Sequence, residues 1–145
     1  MAAEPLFVDT NILVYANRST SAFHVQAFAR LDSLHDSGTP LHISRQIIRE
    51  YLATITRPHG ATPAVAMHDA LADVRSFVQL FDLAEDGPGV TGRLMNLLER
   101  FPTAGRQVHD ANIVATMLAN GVGRLLTANT ADFARFSPVI DIEPL

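Results

Sequence analysis

Leu6-Phe7-Val8-Asp9-Thr10-Asn11 is a short apolar run closed by an acid and two polar residues. It reads as a buried strand that ends at Asp9. Outward from it, short apolar runs alternate with longer stretches of helical spacing. Phe23, Ala27, Phe28, Leu31 and Leu34 predict a helix over 22–37, with Gly38 near its stop. Leu41-His42-Ile43 reads as a second strand, and Ser44 as the N-cap of a helix running to about Thr56, closed by Arg57-Pro58-His59-Gly60. Pro63 suits the first turn of a helix over 63–77. A strand over 79–83 and helices over 90–101 and 108–120 follow, the last ending at Gly121. Strands are expected again over 124–127 and 139–142. This alternation predicts an α/β fold with a mainly parallel sheet of four to five strands, covered on both faces. Chemistry in such folds collects at the carboxyl ends of the strands, here after Val8, Ile43, Leu83 and Thr127.

The chain has 145 residues, of which 48% are hydrophobic, enough for the core of one domain over 1–145. It has no cysteine, which excludes disulfides, thiolate metal sites and a cysteine nucleophile. No secretory signal and no apolar run of membrane-spanning length is visible, so a soluble cytoplasmic domain with no membrane partner is expected. All eleven basic residues are arginine. Without lysine there is no Walker A phosphate loop and no Schiff-base site. Arginine still suits phosphate, because its planar fork binds two oxygens at once. The formal charge of −4 argues against a nucleic-acid partner unless several acids are metal ligands.

Four acids stand in unusual places. Asp9 closes the first strand and either forms an Asx-turn or cap, or ligates a metal; Asn11 is spaced to orient it. Glu50 lies roughly 60° from Ile47, at the margin of the stripe formed by Ile47, Ile48, Tyr51, Leu52 and Ile55. It is either a boundary residue paired with an arginine or a ligand whose backbone the core holds. Asp110 shares the face of Ile113, Val114 and Met117, where an unpaired charge is costly. It is either the N-cap of its helix or a carboxylate aimed inward at a cation. Asp132 sits in the first turn of a short helix that Thr130 would cap, with Asn129 a rival for any role in that loop. In a parallel sheet these positions can converge at one edge. Carboxylates crowded there need compensation, which hard divalent cations such as Mg²⁺ or Mn²⁺ supply.

Taken together, Phe7-Val8-Asp9-Thr10-Asn11-Ile12-Leu13-Val14-Tyr15, Ser44-Arg45-Gln46-Ile47-Ile48-Arg49-Glu50-Tyr51-Leu52, Val108-His109-Asp110-Ala111-Asn112-Ile113-Val114-Ala115 and Leu125-Leu126-Thr127-Ala128-Asn129-Thr130-Ala131-Asp132-Phe133 carry a family resemblance. The sequence resembles the PIN-domain ribonucleases, specifically the VapC-type toxins of bacterial toxin–antitoxin pairs. The pieces occur in the family's order and span nearly the whole chain. The resemblance implies a small α/β/α sandwich, endoribonuclease activity on structured RNA and one or two Mg²⁺ or Mn²⁺ ions. It also implies a homodimer, and inhibition by a cognate VapB antitoxin whose C-terminal segment fills the cleft. It carries the family's carboxylates onto Asp9, Glu50, Asp110 and Asp132, the last match being the loosest. Thr127 and Asn129 match polar positions that order the loop or bind a metal's water, and Asn11 matches a support for the first aspartate. Divalent ions in such sites turn water into a nucleophile and neutralise the leaving oxygen, which predicts 5′-phosphate and 3′-hydroxyl products.

Setting the four acids aside leaves 11 acids against 11 arginines. RNA affinity would then rest on the metals and a local arginine patch, for which Arg18, Arg45, Arg49 and Arg106 lie in suitable segments. His109, beside Asp110, is the histidine to watch. Gly87-Pro88-Gly89-Val90-Thr91-Gly92 satisfies a dinucleotide fingerprint, but lacks the acid that should follow for the ribose. A dehalogenase-like phosphatase would need an aspartate where Asn11 stands. The remaining rival is a non-catalytic RNA- or partner-binding domain of the same fold.

Overall fold

A computed structural model describes residues 3–145. Strand β1 (Leu6–Val8) leads into α1 (Thr10–Asn17) and α2 (His24–Asp36), and β2 (Leu41–Ser44) into α3 (Arg45–Ile55) and α4 (Met67–Leu80). Then come β3 (Asp82–Ala84), α5 (Pro88–Arg100), α6 (Gln107–Ala119), β4 (Arg124–Thr127), α7 (Thr130–Phe133), a 3-10 turn at Ala134–Phe136, and β5 (Asp141–Pro144). The five strands form one sheet in the order β3-β2-β1-β4-β5, with every pairing parallel.

That order carries the layering. From β1 to β3 the chain steps one way across the sheet; from β3 to β5 it returns the other way. Right-handed crossovers therefore put α1–α4 on one face and α5–α7 on the other. The packing agrees: α1 contacts α2 and α3, α3 contacts α4, and α6 contacts α5 and α7. The direction reverses at β1 and β4, which lie side by side with Leu6 opposite Arg124 and Val8 opposite Leu126. A cleft opens at such a switch point, beyond the carboxyl ends of the two strands.

The central strands are apolar throughout because both faces are covered. Leu6, Phe7, Val8, Leu125 and Leu126 are fully buried. Helix α6 buries Ala111 and the whole run Ile113–Met117, so it is an interior helix apolar around most of its circumference. Helix α3 is two-sided, burying Gln46, Ile47, Tyr51 and Ile55. The Tyr51 hydroxyl donates to Asp73 Oδ2 at 2.7 Å and ties α3 to α4.

Several boundaries differ from those expected of the sequence. Thr10–Asn17 is a helix where the polar triplet after Val8 resembles a turn. The helix expected from Pro63 starts at Met67; 63–66 lie outside any helix or strand, with the Val65 amide bonded to the Ile55 carbonyl. Residues 79 and 80 belong to α4, and the strand shrinks to Asp82–Ala84. The last strand is shifted to Asp141–Pro144. Asn129, not Thr130, is the N-cap of α7, and it makes no side-chain capping bond. No helix among the described residues is long and apolar enough to cross a membrane.

Candidate active site

A cleft of about 670 Å³ opens at the switch point, and Asp9, Glu50, Asp110 and Asp132 all line it. Each arrives from a different element, so only the fold brings them together. Asp9 follows β1 and is 6% exposed. Its Oδ1 accepts from the Thr10 amide at 2.8 Å, which caps α1. Its Oδ2 accepts from Thr127 Oγ1 at 2.7 Å and Asn11 Nδ2 at 3.1 Å. The capping and site readings of Asp9 are thus compatible, one oxygen serving each.

Asn11 also receives the Ala128 amide on its Oδ1 at 3.1 Å, bridging α1 to the loop after β4. Thr127 Oγ1 in turn accepts the Asn129 amide at 3.0 Å. Thr127 is buried and acts behind Asp9, whereas Asn11 and Asn129 line the cleft itself. Glu50 is held by two neutral donors, Thr10 Oγ1 to Oε2 at 2.8 Å and Gln46 Nε2 to Oε1 at 3.0 Å. Asp110 is in the first turn of α6, whose N-cap is Arg106, so Asp110 is not the cap. Asp132 is in the first turn of α7 and is exposed.

Electrostatically the cleft is under-compensated. Among the described residues, none of the four carboxylates forms a salt bridge. Burial pushes the Asp9 carboxyl up to about 6, and the nearby Glu50 charge adds to the rise against three hydrogen bonds that oppose it. Burial likewise raises Asp110 to about 6, reinforced by Asp132, Asp9 and Glu50, with Arg135 opposing. Carboxylates left without a cation in this way form a site short of positive charge. The donor set is all oxygen, which suits a hard divalent cation. Among the described residues no three His, Asp or Glu side chains form a ready-made cage. An ion of the Mg²⁺ type needs none, since it is held by one or two carboxylates and keeps several waters. The residues fit such an ion in an open site.

A family model described as PIN domain matches residues 6–137. The chain belongs to the PIN-domain family. Among curated proteins no relative matches it. Solved structures do. VapBC2 from Rickettsia felis, bound to a promoter DNA fragment, has a TM-score of 0.71 at 17% identity, covering 97% of this chain and 98% of that one. VapC20 from Mycobacterium tuberculosis, a sarcin–ricin-loop-cleaving toxin, has a TM-score of 0.68 at 17% identity, covering 96% and 99%. A toxin–antitoxin complex from Klebsiella pneumoniae has a TM-score of 0.61 at 22% identity, covering 90% and 91%. At these identities the likeness is one of fold.

The cleft of this PIN domain is also lined or backed by groups that the sequence did not single out, Thr10 on its wall and Gln46 buried behind Glu50. Thr10 lies inside the first motif, between two residues with evident roles. Gln46 is four residues before Glu50, a spacing that shares a helix face and could have revealed it. Of the arginines in suitable segments, Arg106 lines the cleft. Arg45 instead pairs with Glu85, and Arg18 Nη2 donates to the Ile55 carbonyl at 2.7 Å. Arg49 is not among the lining residues, whereas Arg57 and His59, expected only to stop a helix, are. His109 lines the cleft beside Asp110.

Proposed function

We propose that this PIN domain is a metal-dependent endoribonuclease toxin, with Asp9, Glu50, Asp110 and Asp132 holding Mg²⁺ or Mn²⁺. One observation carries the reading: four carboxylates from four elements line one cleft with no cation paired to any of them among the described residues. When bound, the ion supplies an acidified water and positive charge at the phosphate. The protein's own part is to hold the carboxylates. Asp9 is fixed by Thr127, Asn11 and the Thr10 amide, and Glu50 by Thr10 and Gln46. Asn11, Thr127 and Asn129 serve as supporting residues that order the loop between β4 and α7.

The reaction is hydrolysis of a phosphodiester. A bond forms between the water oxygen and phosphorus, the bond to the 3′ oxygen breaks, and that oxygen takes up a proton. The products are a 5′-phosphate and a 3′-hydroxyl. Arg57, His59 and Arg106 line the cleft wall, and the planar forks of the two arginines suit the phosphates that flank the cut. The toxins among the structural neighbours support an RNA substrate and a VapB-type antitoxin as partner. Exposed Phe23, Val25 and Phe28 on or beside α2, with Met67, Leu71, Val78 and Leu80 on α4, offer apolar surface for that partner or for a homodimer.

The test is incubation with total RNA in Mn²⁺ or in EDTA, with the new 5′ ends mapped. Ligatable 5′-phosphate ends that appear only with the metal, and vanish in Asp9→Asn and Asp110→Ala, are expected. RNA binding that survives both substitutions with no cleavage in any condition identifies a binding module instead.

A further inference from the structure

Gln46 is buried on α3, 7% exposed, yet carries a primary amide with two donors and an acceptor. All are used. Nε2 donates to Glu50 Oε1 at 3.0 Å and to the backbone carbonyl of His109 at 2.8 Å, and Oε1 accepts from Asn112 Nδ2 at 2.8 Å. Asn112 donates in addition to Asp86 Oδ2 at 3.0 Å, in the loop after β3. Turning the amide over would set its oxygen against two acceptors, so these partners dictate its orientation.

The amide therefore joins two parts of the cleft that are far apart in sequence. On one side it grips Glu50; on the other it grips the peptide immediately before Asp110. Thr10 holds the other Glu50 oxygen at 2.8 Å, so each oxygen has one neutral donor and keeps lone pairs for a ligand. A lysine or arginine in place of Gln46 would neutralise Glu50, whereas the amide orients it and leaves its charge available. We infer that Gln46 is a positioning residue: through one buried amide it sets Glu50 against the first turn of α6, and so tunes the cleft's affinity for a divalent cation. The inference rests on the nuclease reading above, since it needs Glu50 and Asp110 to serve one ion.

Gln46→Met keeps the length and most of the volume while removing both donors and the acceptor. Groups that orient metal ligands typically change affinity or activity by about 10- to 100-fold when removed, and a loss of Mn²⁺ affinity in that range is expected by calorimetric titration of the RNA-free protein. Asn112→Ala, which removes the donor to the Gln46 oxygen but leaves both Nε2 bonds, should weaken binding less. In the wild type, the Gln46 side-chain amide should exchange slowly and shift in nuclear magnetic resonance spectra as Mg²⁺ is added, which a purely packing residue would not do. That measurement decides the matter should Gln46→Met fail to fold. If the wild type binds Mn²⁺ and cuts RNA while folded Gln46→Met binds as tightly, or if the amide ignores Mg²⁺, the positioning role is overturned and the nuclease reading stands. If the wild type neither binds Mn²⁺ nor cuts RNA, both fall together.

Discussion

Asp110 shows how one residue joins stability to chemistry. Its carboxyl is raised to about 6 by burial and by three neighbouring acids, so the metal-free fold favours its protonated form. A carboxyl raised on folding contributes its stability below the unfolded value of 3.8 and loses it as pH climbs through 6. Asparagine mimics the protonated state. Asp110→Asn should therefore match the wild type near pH 4 and be more stable at pH 7, by roughly 1–2 kcal/mol after allowance for solvent screening. Urea unfolding across that range measures it, and cleavage should be lost in the same variant. Asp9 has the same shift but is almost fully buried, so solvent screens it less: its move from 3.8 to about 6 costs about 3 kcal/mol at neutral pH in the absence of metal. Mg²⁺ should thus raise the melting temperature at pH 7 and much less at pH 4, where protons already occupy Asp9 and Asp110. Equal Mg²⁺ stabilisation at both values would contradict the assignment. The unusual placement of Asp9, Glu50 and Asp110 was readable from pattern alone. The Gln46–Glu50 spacing was there to be read, but the rest of the roles of Thr10 and Gln46 was not, because their side chains' other hydrogen-bond partners lie 40 to 66 residues away.

At the scale of elements, α3 and α6 are the supports of the cleft and differ in kind. Helix α6 is interior, so its register is held by packing around Ile113, Val114 and Met117. Helix α3 is held on one face only, and the Tyr51–Asp73 bond adds a polar tie to α4. Tyr51→Phe should lower stability by about 1–2 kcal/mol, as expected for losing one hydrogen bond to a carboxylate. It should leave RNA cleavage intact, because the Tyr51 hydroxyl bonds to α4 and to none of Glu50's partners; comparison of unfolding midpoint with cleavage rate separates the two effects. Gly121, at φ 70° just past α6, ends that helix in the left-handed region that glycine enters without strain. Most helices were legible as hydrophobic periods. Helix α1 was not, since Asp9-Thr10-Asn11 is as good a turn as it is a cap, and only the helix over Thr10–Asn17 tells them apart.

For the whole molecule, exposed apolar side chains on α2 and α4 and the polar cleft at the switch point are chemically distinct surfaces, and each carries its own test. Sedimentation at micromolar concentration should show a species heavier than the 15.8 kDa chain, and a purely monomeric boundary would remove the homodimer. Arg57 and Arg106 bring positive charge to a cleft that is otherwise acidic. Arg57→Ala with Arg106→Ala should weaken RNA binding and flatten its dependence on salt. The slope of log affinity against log salt should fall by about one for each phosphate that is no longer neutralised, as binding isotherms across a salt series would show.

The alternation of strand and helix, the parallel sheet and the unusual placement of the four acids are properties of local pattern, and the chain alone was sufficient to suggest them. Burial on both faces demands continuous apolar strands, and helices between them demand parallel pairing. Whether those acids share one cleft was settled only by strand order. The reversal between β1 and β4 brings Asp9 beside Thr127, and α3 and α6 then carry Glu50 and Asp110 to the same opening. No local rule encodes that meeting, because it depends on residues that are distant along the chain and become neighbours only once it has folded.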